Sequence, residues 1–123
     1  TAESVHLGRT EALEPLDALT DLLLQPLPRT EALRLGISVW YAYLARATAD
    51  PQIREILAKA SRGTLDYAAR LLEQAGAPTQ EAERLIALSN GLAQAAMVGA
   101  VTVEEAAHVL HQEVDSLKAL SRG

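Results

Sequence analysis

Two short strings in the chain place metal-binding side chains at a usable spacing. Glu105-Ala106-Ala107-His108 has the Glu-x-x-His pattern with which di-metal helical bundles bring a carboxylate and an imidazole onto one helix face. Glu3-Ser4-Val5-His6 repeats it near the start of the chain, and His111 and Asp115 fall on the same face as His108. The first string also has an explanation that needs no metal. Thr102-Val103-Glu104-Glu105 is a capping box, in which the Thr102 and Glu105 side chains each bind the other residue's backbone amide. With Glu105 engaged there and both histidines on a polar face, no metal and no cofactor are expected. A di-metal carboxylate enzyme using Glu105 and His108 is kept as the alternative. Nucleophilic catalysis has less support, because the chain has no Cys and no Ser in a Gly-flanked elbow, so no enzyme is expected. The other groups able to recognise a partner molecule are aromatic and amide. Three of the four aromatic residues lie in Trp40-Tyr41-Ala42-Tyr43, and Asn90 and Gln94 interrupt an otherwise apolar run.

The elements that must position these groups are helical. Hydrophobic residues make up 49% of the 123 residues but aromatic residues only 3%, with no Phe, so Leu and Ala must fill the core. That palette favours helices over sheets. An all-α antiparallel bundle of five or six helices, folded as one domain over residues 1–123, is the expected architecture. Residues 1–9 carry little periodic signal and read as a frayed or connecting segment. From Thr10, Leu13, Leu16, Leu19 and Leu23 share one face, and Gln25-Pro26-Leu27-Pro28 ends the helix, since each Pro disfavours helical geometry in the residue before it. A second helix runs from about Arg29 to Thr48, with Leu33, Ile37, Trp40 and Leu44 on one face. Asp50-Pro51 supplies the cap and first-turn Pro of a third. Its middle, Ser61-Arg62-Gly63-Thr64, is weak enough that residues 51–75 could form one helix or two. Gly76 closes that segment.

Residues 78–122 form a helix pair meeting at Val98-Gly99-Ala100-Val101. From Leu85 to Val98 the first helix is apolar nearly all round, interrupted only by Ser89, Asn90 and Gln94. Such a helix must be covered on both sides. One side should meet its own domain and the other a second copy of the chain. The small-residue stripe Ala87, Gly91, Ala95 and Val98 is the expected dimer seam, partnered by Val103, Ala107, Leu110, Val114 and Leu117 of the last helix. Charge excludes direct nucleic-acid binding: 11 basic residues against 16 acidic ones leave a net charge of -5 and cannot replace phosphate counterions. No apolar run is long enough to span a bilayer and no signal-peptide pattern opens the chain, so no membrane partner and a cytoplasmic location are expected.

Several strings, in order, resemble the C-terminal ligand-binding and dimerisation domain of TetR-family transcriptional repressors, in the branch typified by the betaine-pathway repressor. They are Leu16-Asp17-Ala18-Leu19, Leu22-Leu23-Leu24, the run from Val39 to Ala47 followed by Asp50-Pro51, and Leu85-Ile86-Ala87-Leu88-Ser89-Asn90-Gly91-Leu92. Where that branch tends to show Asp-Gly-Leu, this chain has Asn90-Gly91-Leu92. The resemblance implies a homodimer through a four-helix bundle, a small-molecule effector enclosed by the preceding helices, and DNA contact only through an N-terminal helix-turn-helix head that this chain does not contain. The expected pocket residues are Trp40, Tyr43, Tyr67, Leu71, Asn90, Gln94 and Met97, an apolar set with a few polar groups that would be costly to bury without partners. A ligand there would favour one packing of the Thr10 to Leu24 helix over another. A purely structural dimerisation module is the other alternative.

Overall fold

The computed structural model describes residues 14–122, and among these there are five helices and no strand. Helix α1 covers residues 14–24, α2 Glu31–Ala47, α3 Pro51–Gln74, α4 Glu81–Met97 and α5 Val103–Arg122. The expected frayed segment, Glu3, His6 and Leu13 lie outside the described residues.

Local chemistry sets the boundaries. Thr30 caps α2, its hydroxyl accepting from the Leu33 amide at 3.1 Å. Asp50 caps α3 by accepting from the Gln52 and Ile53 amides, and Pro51 begins that helix. Arg54, one turn into α3, donates to the carbonyls of Ala47 and Thr48 and so ties the end of α2 to the start of α3. The capping box at the start of α5 forms as its spacing requires: Thr102 Oγ1 accepts from the Glu105 amide at 3.0 Å, and Glu105 Oε1 accepts from the Thr102 amide at 3.3 Å. Helices α3 and α4 end alike. Gly76 and Gly99 take φ values of 74° and 76°, which let Ala77 donate back to Leu72 and Ala100 back to Ala95, both at 2.9 Å. Helix α3 is unbroken, so Ser61-Arg62-Gly63-Thr64 does not divide it. One glycine costs only about 1 kcal/mol in a helix interior, which a long capped helix tolerates.

Leu and Ala fill the core, as the composition requires. Leu16, Leu19, Leu23 and Leu27 come from α1 and the corner after it; Ala68, Leu71 and Leu72 from the second half of α3; Ala82, Leu85 and Ala93 from α4; and Ala106, Leu110, Val114 and Leu117 from α5. Helix α2 contributes nothing to it, having no buried residue, and neither does the first half of α3. The domain is therefore a compact four-helix core from which α2 and the first half of α3 project as a two-helix arm. The arm carries apolar side chains, such as Leu35 and Val39, that remain 69% and 52% exposed.

This division predicts unequal sensitivity. Leu110→Ala should lower unfolding stability by about 2–5 kcal/mol, through lost burial and a residual cavity. Leu35→Ala should change it by less than about 0.5 kcal/mol. Urea unfolding followed by circular dichroism checks both, and equal losses would contradict the division into core and arm.

Candidate functional site

Between arm and core lies a cavity of about 780 Å³. Three elements and a corner form its wall. Leu33, Gly36, Ile37, Trp40, Tyr41 and Leu44 come from the inner face of α2; Ala60, Ser61, Thr64 and Leu65 from the middle of α3; and Ile86, Ala87, Ser89, Asn90, Ala93 and Gln94 from one flank of α4. Leu22, Gln25 and Pro26 close the end where α1 stops. Among the described residues the wall is apolar with a few amides and hydroxyls and one carboxylate, Glu83, and includes no Lys, Arg or His. Clefts of this size and character suit drug-sized organic molecules.

The helical period explains the wall. On α2, Leu33, Ile37, Trp40 and Leu44 recur every three or four residues, the spacing of a core stripe. Among the described residues no buried core lies beneath α2, and the stripe faces the cavity. On α4, Leu85, Ser89, Ala93 and Ala96 are buried against the core, while Asn90 and Gln94 sit one step round the helix on the cavity flank. The bond that joins α2 to the far end of α4 is polar: Arg34 Nη2 donates to the Met97 carbonyl at 2.8 Å, satisfying an orphan carbonyl at a helix C-terminus. Arg84, on the opposite flank of α4, pairs with Glu113 at 3.0 Å and with Glu81. Hydrogen bonds to Glu113 first and Glu81 second hold its guanidinium pKa above the usual value, so it is a fixed charge turned away from the cavity.

The structure brings together Trp40, Asn90 and Gln94 of the expected pocket residues. Tyr43 and Tyr67 are exposed and lie off the wall, with Tyr67 under the Arg70 guanidinium at 5.9 Å. Leu71 is buried in the core and borders a smaller hollow with Glu14, Pro15, Ala18 and Gln74. Met97 meets Arg34 through its backbone and is not on the wall. Sequence reasoning passed over Ile37, Tyr41, Thr64, Leu65, Ile86 and Ser89 as wall residues. The α2 stripe was the available signal, but a stripe facing a core and one facing a cavity have the same period.

The expected seam divides. Ala87, Gly91 and Val98 are exposed and Ala95, Val103 and Ala107 half-buried, whereas Leu110, Val114 and Leu117 are buried in the chain's own core. The face of α5 beside α4's outer flank, marked by Glu113 reaching Arg84, carries half-buried Val109 and exposed Leu120. Among the described residues no three His, Asp, Glu or Cys side chains converge on a possible metal position, and Glu105 is held by the capping box. No helix among them is long and apolar enough to cross a membrane.

An all-α domain of five helices, with no strand among the described residues, matches the fold of a TetR-type C-terminal domain. The family described as the BetI-type transcriptional repressor, C-terminal, matches residues 15–119, and the chain belongs to it. Comparison with curated proteins and with solved structures finds no match.

With no buried residue, α2 should depend on its polar tie. Arg34→Ala should let α2 amides exchange with deuterium roughly tenfold faster while the core amides keep their protection. Peptide-resolved exchange reads both, and an unchanged α2 would show that the arm is held by other contacts.

Proposed function

We propose that this chain is the effector-sensing and dimerisation domain of a TetR-type repressor, and that its effector is a small, largely apolar molecule. The observation that carries the reading is the cavity between arm and core. A domain built only to dimerise would have no reason to hold about 780 Å³ open beside a Leu/Ala core. The wall supports an apolar ligand with few polar groups, oriented by Asn90 and Gln94 and stacked against Trp40. DNA contact would come through an N-terminal head, consistent with the acidic balance of this chain, and would place the protein in the cytoplasm.

Dimerisation in this reading uses the flank of α4 turned away from the cavity. Gly91 and Ala95 permit close helix approach, with Leu88, Val98, Val109 and Leu120 around them. Cavity and seam then share one helix, and a ligand can shift the balance of two packings by its difference in affinity for them.

Trp40 is the chain's only tryptophan, which gives the cavity its own reporter. Titration of tryptophan fluorescence with a panel of apolar and amphipathic compounds should find ligands that quench it saturably. A Trp40 indifferent to all of them would sink the pocket. Sedimentation equilibrium at micromolar concentration should return a dimer that Gly91→Arg dissociates, since a charged side chain cannot be buried unpaired in a close helix seam. A wild-type monomer would rule the seam out.

A further inference from the structure

Helix α1 ends at a corner where the backbone runs short of donors. The Leu23 carbonyl would ordinarily accept from the amide of residue 27, or from residue 26 in a tightened last turn. Residue 26 is a proline without an N–H, and the Leu27 amide goes to the Leu24 carbonyl at 3.1 Å. The Leu23 carbonyl is satisfied from another helix instead. Ser89 of α4 donates to it at 2.6 Å in a buried bond that spans 66 positions of sequence.

Ser89 is only 1% exposed, yet it belongs to the cavity wall. So do Leu22, Gln25 and Pro26, which flank the acceptor. One end of this interhelical hydrogen bond, Ser89, therefore sits in the wall of the cavity, and the other, Leu23, is buried directly behind wall residues. One end is on α4, and the other is the last turn of α1.

We infer that Ser89 is the positioning residue through which occupancy of the cavity reaches α1. The inference rests on the cavity being an effector site and assigns the link between that site and the rest of the domain. The Ser89–Leu23 bond fixes the end of α1 against α4. An occupant lying between the Leu22–Pro26 corner and α4 presses on the bond from both sides and displaces it. Packed interfaces have discrete arrangements, so the corner switches between bonded and open rather than stretching gradually. Asn90 and Gln94, also on the wall, are exposed, whereas Ser89 is buried and bonded to Leu23.

The sign of the effect is testable because the occupied state is the one without the bond. Removing the bond raises the fraction of molecules ready to bind, and apparent affinity rises with it. The probe is Nile red, a neutral apolar dye, titrated into the full chain, with deuterium exchange of residues 14–24 followed in parallel. In the wild type the dye should bind saturably and accelerate exchange at the end of α1. In Ser89→Ala it should bind about fivefold more tightly, and the α1 end should exchange fast with or without dye. Ser89→Cys, similar in size and a weaker donor, should fall between the two, and it decides the matter if Ser89→Ala does not fold. A serine that only stabilised the fold would lower the unfolding midpoint without tightening dye binding. Wild-type binding that leaves α1 exchange unchanged, or variants that bind as the wild type does, would overturn the coupling alone. A wild type that takes up no dye would remove the effector-site reading and the coupling together.

Discussion

Helix α4 touches each of the other four helices, and the angular division of its surface is the constraint on which the domain depends. Ala82, Leu85, Ser89, Ala93 and Ala96 occupy the face buried against α1, α3 and α5. One step round, Ile86, Asn90 and Gln94 face the cavity. On the remaining arc Arg84, Gly91, Ala95 and Val98 look outward, with Arg84 pinned to Glu113 of α5. The Ala and Gly residues of this helix let its neighbours approach its backbone closely.

The two halves of the molecule are held in different ways. Core helices are held by burial, each fully buried Leu contributing about 1.5–3 kcal/mol. In the arm, Thr30 and Asp50 cap their own helices, Arg54 joins α2 to α3 across the turn, and Arg34 ties α2 to the end of α4. Such ties are individually modest, about 0.5–1.5 kcal/mol each. A domain built this way keeps its fold while one wall of its cavity stays soft. Regions with few buried contacts are those from which ligand-responsive elements are drawn.

Much of this was legible in the sequence, for identifiable reasons. The Thr102 capping box, the Asp50-Pro51 start and the Gly76 stop are local chemistry, and local chemistry needs no knowledge of the fold. The leucine stripe of α1 and the all-round apolarity of α4 survive because helical period alone determines them. What periodicity could not decide was the neighbour each face would meet. Leu110, Val114 and Leu117, expected at the seam, are buried in the chain's own core, where the single apolar stripe of α5 joins the leucines of α1 and α4. Leu33, Ile37 and Leu44 share a helix face whose neighbour the period does not name, and they line the cavity. Tyr43 and Tyr67, chosen for their chemistry, sit a helical step away from the wall. Ser89 looked like a stray polar interruption because its partner is the carbonyl left without a donor by Pro26, a pairing that only the tertiary structure creates.

The division of α4 can be tested at two adjacent positions. Asn90 lies on the cavity wall and Gly91 on the outer arc, where an added side chain meets open space. The chain has no native cysteine, so single-cysteine variants report on these positions alone. Under mild oxidation, Gly91→Cys should crosslink two copies of the chain and its crosslinking should be indifferent to Nile red. Asn90→Cys should remain uncrosslinked, and Nile red should slow its alkylation. Equal crosslinking at both positions, or dye protection of Cys at position 91 instead of 90, would contradict a helix that separates cavity from seam.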